Sequence, residues 1–260
     1  MSYVENLFDL KDKVAVVIGG SGVLGGAMAR TLARASARVA VGFHNNQAGA
    51  DNVVTTITEA GGIAEAFSFD ASSERGILEG KDAVLARWGK VDILVNAPGV
   101  NSPTPVFDIP EEEWERILNT NLKGVFFSCR VLGRQMIEQK SGGSIINISS
   151  VSSELPLSRV FTYSISKAGI NNMTRFLARE WAPYKVRVNA IMPGFFPAVQ
   201  NRKILTEERR KSIFAHTPMG RYGEPEELSG ALLWLASEKA SSFVTGAMIA
   251  VDGGFTSMTI

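Results

Sequence analysis

Val14-Ala-Val-Val-Ile18-Gly19-Gly20-Ser21-Gly22-Val23-Leu24-Gly25-Gly26-Ala-Met-Ala-Arg30 is the stretch on which the fold turns. Five consecutive apolar residues read as a strand buried on both faces, and the spacing after Leu24 is helical. The glycines between them let the chain turn tightly and bring backbone N–H groups to the positive end of a helix, a geometry that suits a pyrophosphate. Gly20-x-Gly22-x-x-Gly25 satisfies the general dinucleotide fingerprint, and its position after the first strand gives it weight that the bare pattern lacks.

Working outward, short β-branched runs at 14–18, 39–43, 63–69, 91–96, 145–149, 186–192 and 248–251 read as strands. Helical spacing occupies 24–34, 50–60, 74–88, 111–136, 161–181 and 225–235. Alternation of this kind predicts an α/β fold: a doubly wound, mostly parallel, seven-stranded sheet with helices on both faces. One domain over 1–260 is expected, with a substrate lid at 195–217, where a polar, weakly patterned insert follows a strand's carboxyl end. Glu111-Glu112-Glu113 after Pro110 reads as a helix start, its carboxylates opposing the helix dipole.

The chain has 260 residues, 27 Lys plus Arg and 26 Asp plus Glu, so a net charge of +1 offers no bulk field for nucleic acid or anionic lipid. A small-molecule partner is expected. The single cysteine, Cys129, lies in an apolar run and reads as a buried thiol, since one cysteine cannot form an internal disulfide. The first ten residues lack a basic and then apolar leader, and no run approaches the roughly 18 apolar residues of a membrane span. The expected location is therefore cytoplasmic. No metal site is expected: His216 has no carboxylate or cysteine at ligand spacing and reads as a loop histidine.

The second strand ends Val41-Gly42-Phe43-His44-Asn45-Asn46, without the carboxylate that usually accepts hydrogen bonds from an adenosine ribose in an NAD site. With nothing there to repel a 2′-phosphate, the expectation tilts from NAD toward NADP, with His44 and the asparagines as contacts. In Phe161-Thr-Tyr163-Ser-Ile-Ser-Lys167, Tyr163 and Lys167 share one helix face. A nearby ammonium favours the phenolate, so the pair is expected to lower the phenol's pKa from about 10 and to serve as an acid/base. A serine hydroxyl, Ser150 or the adjacent Ser149, ends the fifth strand at the same sheet edge, where it can hold a carbonyl or alkoxide.

In these motifs and their order, across nearly the whole chain, the sequence resembles the short-chain dehydrogenase/reductase family. The resemblance implies a Rossmann-type sheet and an NAD(P)-dependent carbonyl reductase or alcohol dehydrogenase, with hydride passing between nicotinamide and a ketone or secondary alcohol. It implies a catalytic tetrad of Asn121, Ser150, Tyr163 and Lys167, with Ser150 chosen by its spacing to Tyr163 and Asn121 holding a water for proton relay. Implied cofactor contacts are Gly19, Ser21, Gly22, Leu24 and Gly25 in the phosphate loop, Phe43 and His44 after the second strand, and Asp70 and Ala71 after the third. Asn96, Ala97 and Pro98 after the fourth strand, Pro193, Gly194 and Phe196 after the sixth, and Tyr163 and Lys167 themselves complete the set. The resemblance also implies a homotetramer, with the helices from Glu111 and Phe161 and the carboxyl-terminal region in subunit contacts.

The match has departures: Ile18, Val23, Pro98 and Ala198 replace the family's threonine, glycine, glycine and threonine. Pro98 removes a backbone donor and Ala198 a hydroxyl near the nicotinamide. These changes motivate the alternative of a non-catalytic nucleotide-binding sensor or scaffold, against which the intact tetrad stands; enoyl reduction or epimerisation are the alternative chemistries. Within the family, Gly22-Val-Leu-Gly-Gly-Ala-Met and Ala215-His-Thr-Pro-Met-Gly-Arg resemble mannonate oxidoreductases and fructuronate reductases, implying a sugar acid or polyol. Arg159 and Arg202 are candidate carboxylate ligands, and Leu155 and Phe195 candidate substrate walls.

Overall fold

The computed structural model describes residues 2–197 and 206–258. Its seven strands are β1 (Val14–Ile18), β2 (Arg38–Phe43), β3 (Ile63–Ser68), β4 (Ile93–Asn96), β5 (Gly143–Ile148), β6 (Val186–Pro193) and β7 (Met248–Val251). They form one sheet in the order β3-β2-β1-β4-β5-β6-β7, with every pair parallel. All seven expected strands and the parallel sheet are present. The order reverses between β1 and β4, which opens a crevice at their carboxyl ends where such sheets bind ligands.

The strands read as unbroken apolar runs because helices cover both sides of the sheet. Ala15 and Val17 of β1 face a cluster built on helices Val23–Arg34, Gln47–Glu59 and Ser229–Ala236. Val14, Val16 and Ile18 face the opposite cluster, built on Glu74–Trp88, Gly124–Glu138 and Phe161–Trp181. Cys129 is fully buried in that second cluster, and burial pushes its thiol up to about 12, so it is a packing residue without thiolate character at neutral pH.

Two expected helices differ. The helix expected over 111–136 is interrupted: Glu111–Leu118 passes through a π turn at Asn119–Lys123 before Gly124–Glu138. The helix expected over 225–235 begins as a 3-10 turn, Pro225–Leu228. Within the insert after β6, a helix at Glu207–Ala215 escaped the sequence reading because it buries only Ile213 and so carries almost no apolar stripe. Its start is set by Thr206, whose side chain caps the Arg209 N–H. Among the described residues no helix is long and apolar enough to cross a membrane.

Candidate active site

The phosphate loop is a close backbone packing that excludes side chains. Gly19 has φ +79°, and a Cβ there would lie 2.8 Å from the carbonyl carbon and oxygen of Ala97. A Cβ on Gly25 would lie 2.2 Å from the Gly19 oxygen. Gly22 caps helix Val23–Arg34 with no side-chain hydrogen bond, so no side chain competes for the first N–H groups. This uncapped helix end at the β1/β4 switch fits a dinucleotide pyrophosphate.

Around the loop, Asn46 caps the next helix and donates to the Ser21 carbonyl at 3.4 Å, tying the end of β2 to the glycine turn. His44 Nδ1 lies 3.5 Å from Asp70 Oδ1, so the residues expected at the adenosine end stand together. Asp70 is held below its ordinary pKa, chiefly by the Ser72 hydroxyl that donates to it at 2.6 Å. Asn96 is placed differently from the expectation of a cofactor ligand. Its side chain is fully buried and donates to Asn147 Oδ1 at 2.9 Å and Cys129 Sγ at 3.3 Å, so it joins β4 to β5 and its carboxamide cannot face a ligand.

Along the same sheet edge, β5 ends at Ile148 and the backbone turns through Val151–Ser153 before helix Phe161–Trp181. Ser149 and Ser150 separate here. Ser149 donates to the Lys167 carbonyl at 3.2 Å and is spent inside the protein. The Ser150 oxygen accepts from the Ser152 N–H at 3.1 Å and its hydroxyl at 3.0 Å, and Ser150 stands close enough to the Tyr163 phenol to favour its ionised form. With its lone pairs filled from behind, Ser150 has its own O–H to direct forward. Sequence reading missed Ser152, since nothing in its spacing marks it as a partner of Ser150.

Lys167, 2 % exposed, donates from Nζ to the Ile148 carbonyl at 2.7 Å and sits 5.5 Å from the centre of the Tyr163 ring. A Cβ on Gly99 would lie 4.0 Å from that Nζ, so the ammonium borders the segment that touches the phosphate loop. Phosphate loop, Ala97–Gly99, Lys167, Tyr163 and Ser150 thus follow one another along the crevice. The Tyr163 phenol is raised above its ordinary value of 10, because burial disfavours the phenolate more than the Ser150 hydrogen bond favours it. This reverses the expected direction, because burial of the phenol is the largest influence on it.

Asn121 is buried in the π turn, an irregularity that recurs at functional sites. Its Oδ1 accepts from the Val100 N–H at 2.8 Å, and its Nδ2 donates to the Val100 carbonyl at 2.9 Å and to Ser166 Oγ at 3.2 Å. Its amide hydrogens are spent on protein partners, so it pins the 97–101 segment to the helix carrying Tyr163 instead of presenting a free carboxamide.

Among the expected substrate residues, Leu155 is half-buried in the turn after Ser150 and Arg159 is exposed before Tyr163. Phe195 packs edge-on to Phe255, and Phe196 lies against Gly223. Both line a cavity of about 370 Å³ shared with Met219, Tyr222 and 250–254, whose lining includes none of the tetrad. Arg202 and Ala198 lie outside the described residues, as does part of the expected lid. His216 is exposed and its Nδ1 contacts the Ser212 carbonyl at 2.8 Å. Among the described residues no His, Cys, Asp and Glu cluster could hold a metal ion.

Burial of Lys167 links stability to pH. Its pKa falls from 10.5 to about 8. Above pH 8 the folded protein has released this proton while the unfolded chain still binds it, up to 10.5. The unfolded state therefore holds more protons in that window, and this group makes stability rise with pH. Tyr163, with its folded pKa raised, costs stability only as pH passes its unfolded value of 10. Urea denaturation is expected to show the wild type gaining on Lys167→Met by about 2 kcal/mol between pH 8 and 10; a gap independent of pH would contradict a desolvated ammonium.

A family profile described as enoyl-(acyl carrier protein) reductase matches residues 21–256. The 2-dehydro-3-deoxy-D-gluconate 5-dehydrogenase of Dickeya dadantii (strain 3937) is 37% identical over 251 residues, covering 96% of this chain and 98% of that protein. The crystal structure of a gluconate 5-dehydrogenase from Burkholderia cenocepacia J2315, with NADP and tartrate, has a TM-score of 0.93 at 32% identity, covering 99% of this chain and 100% of that one. A Haemophilus influenza structure with bound NAD, provisionally described as a D-mannonate oxidoreductase, has a TM-score of 0.91 at 34% identity, covering 99% of each chain. The chain belongs to the short-chain dehydrogenase/reductase family. It is an NAD(P)-dependent oxidoreductase acting on CH–OH and C=O groups, as the sequence led us to expect.

Proposed function

We propose that the substrate is a sugar acid or closely related polyol, interconverted between ketone and secondary alcohol, with Ser150, Tyr163 and Lys167 as the catalytic residues. The observation that carries this reading is the contiguous line of Ser150 hydroxyl, Tyr163 phenol and buried Lys167 ammonium beside the phosphate loop. Bound nicotinamide supplies the hydride in reduction and takes it up in oxidation. Ser150 directs its O–H to the substrate oxygen, and Tyr163, kept protonated by burial, delivers a proton to that oxygen as it gains negative charge. In oxidation Tyr163 must receive the proton, and the Lys167 ammonium 5.5 Å from its ring supports the charge that precedes uptake. Asn121 is a positioning residue, holding Val100 and Ser166 in register.

The substrate class is supported by the gluconate-type names of the relatives and by tartrate, a hydroxy acid, in one of their complexes. Arg159, a guanidinium with no carboxylate partner among the described residues, supports it further. The run that ends β2, Val41 to Asn46, has no acidic residue of its own, which supports use of NADPH, with NADH as the competing cofactor; the carboxylate beside His44 is that of Asp70, after β3. Phe161, Ile165 and Phe176, exposed at helical spacing on one helix, support a homotetramer, which the sedimentation mass tests. A cytoplasmic location belongs to the same reading and is tested by cell fractionation.

Oxidation of NADH or NADPH, followed by absorbance against keto-gluconates, fructuronate, neutral keto-sugars and hydrophobic ketones, is the direct test. Turnover is expected to be fastest with a keto-sugar acid. Preference for a hydrophobic ketone would overturn the substrate class, and no turnover with any carbonyl would overturn the catalytic assignment.

A further inference from the structure

Arg209 is a cation without an anion. It lies half-buried on helix Glu207–Ala215, and its Nη1 and Nη2 donate to the Ser158 hydroxyl at 3.0 Å and the Ser158 carbonyl at 3.2 Å. No carboxylate among the described residues lies within ion-pair distance of it, although its neighbour Arg210 pairs with Glu207 at 2.6 Å and Arg221 pairs with Glu227 at 2.7 Å. A guanidinium has five N–H donors in a planar fork, so the two bonds to Ser158 orient Arg209 and leave donors for a second acceptor.

Its location gives that acceptor a meaning. Ser158 belongs to the segment 154–160, which connects the turn carrying Ser150 to the helix carrying Tyr163. The next residue, Arg159, has φ 64°. The other described non-glycine residues with positive φ, Asp12, Ser36, Lys140 and Lys185, precede strands β1, β2, β5 and β6 at the amino edge of the sheet. Arg159 alone among them lies on the carboxyl edge, in a conformation an L-residue adopts at some cost, immediately before the helix of the candidate acid. Arg209 thus contacts the residue that precedes Arg159, in the segment that joins the turn of Ser150 to the helix of Tyr163. Glu154, exposed at the start of that segment, is its only acidic residue.

We propose that Arg209, oriented by Ser158 and seconded by Arg159, is the subsite for the substrate's carboxylate, and so sets the preference for acid over neutral sugars. Ser158, which Arg209 meets, lies three residues before the start of helix Phe161–Trp181, so the segment it orients leads directly into the helix that carries Tyr163. The inference rests on the sugar-acid reading above and adds the group that recognises the acid.

The test compares wild type, Arg209→Gln and Arg209→Lys in the reduction of a keto-sugar acid and of the neutral keto-sugar of equal chain length. Glutamine keeps a donor for Ser158 and removes the charge, whereas lysine keeps the charge and loses the fork. For Arg209→Gln, the ratio of kcat/KM for the acid to that for the neutral sugar is expected to fall roughly 10- to 100-fold, through KM, in line with the loss of a charged hydrogen bond. Arg209→Lys should recover part of that ratio. Equal losses on both substrates would make Arg209 a helix-docking residue and overturn the proposal, as would an unchanged ratio in a folded variant. Should the wild type itself not prefer the acid, the sugar-acid reading falls with it, and the wild-type measurement alone identifies that outcome. If Arg209→Gln does not fold, Ser158→Ala, which removes one of the two orienting bonds, must lower the same ratio; an unchanged ratio there overturns the proposal.

Discussion

Replacing Tyr163 by phenylalanine is expected to lower kcat by roughly 10²- to 10⁴-fold, the contribution of a positioned proton donor, while cofactor affinity changes little. The ring stays in its half-buried position and only the oxygen leaves, so the phosphate loop and Lys167 keep their places. The Ser150 hydroxyl loses its phenol partner but retains both bonds from Ser152. Titration of nicotinamide fluorescence separates the two effects: unchanged Kd with collapsed turnover assigns the phenol to chemistry. Wild-type turnover would remove Tyr163 from the mechanism altogether. In oxidation the wild-type rate is expected to rise with pH up to about 8, where Lys167 begins to lose its proton, because burial raises the phenol's pKa and the phenol must lose its own proton to act as base. A kcat profile flat between pH 6 and 8 would require a different proton acceptor.

Gly25→Ala is expected to be the second large effect, in binding rather than in chemistry. The added Cβ would meet the Gly19 oxygen at 2.2 Å and the Gly20 Cα at 3.1 Å, all backbone with no side chain to rotate away. The loop must open, which withdraws the helix N-terminus from the pyrophosphate and costs about 1–3 kcal/mol of stability, typical of overpacking. Cofactor Kd should rise by two orders of magnitude or more, with Tm falling. Gly230→Ala is the matched control: a Cβ there meets nothing within 4 Å, in the first turn of helix Ser229–Ala236, so Tm should hold or rise slightly. Equal behaviour of the two variants would show that the close contact at Gly25 has no bearing on binding.

The legibility of this fold came from period and punctuation. Val14–Ile18 could be read as a strand because both faces are buried and every position is apolar, and the glycines after it have no other economical explanation. The break in the helix expected over 111–136 was not legible, because Asn119-Thr-Asn-Leu-Lys has no proline to announce it. The interruption exists because the Asn121 carboxamide reaches Val100, a partner 21 residues away. Helix Glu207–Ala215 was hidden for a related reason, since it is held by its cap at Thr206 and by contact with Ser158 in place of a wide apolar face.

At the candidate site the division is similar. Spacing alone put Tyr163 and Lys167 on one helix face, and the strand ends put a serine and a glycine turn at one sheet edge, because periodicity and chain direction are local properties written into neighbouring residues. Sequence left Ser149 and Ser150 equivalent chemically; only the packed structure separates them, by turning one hydroxyl onto Lys167 and filling the other's lone pairs from Ser152. The direction of the phenol's pKa shift, the withdrawal of Asn96 into the core and the approach of Arg209 to Ser158 were likewise decided by tertiary structure. Each depends on desolvation or on a contact between residues distant in sequence, and neither quantity exists until the chain is folded around it.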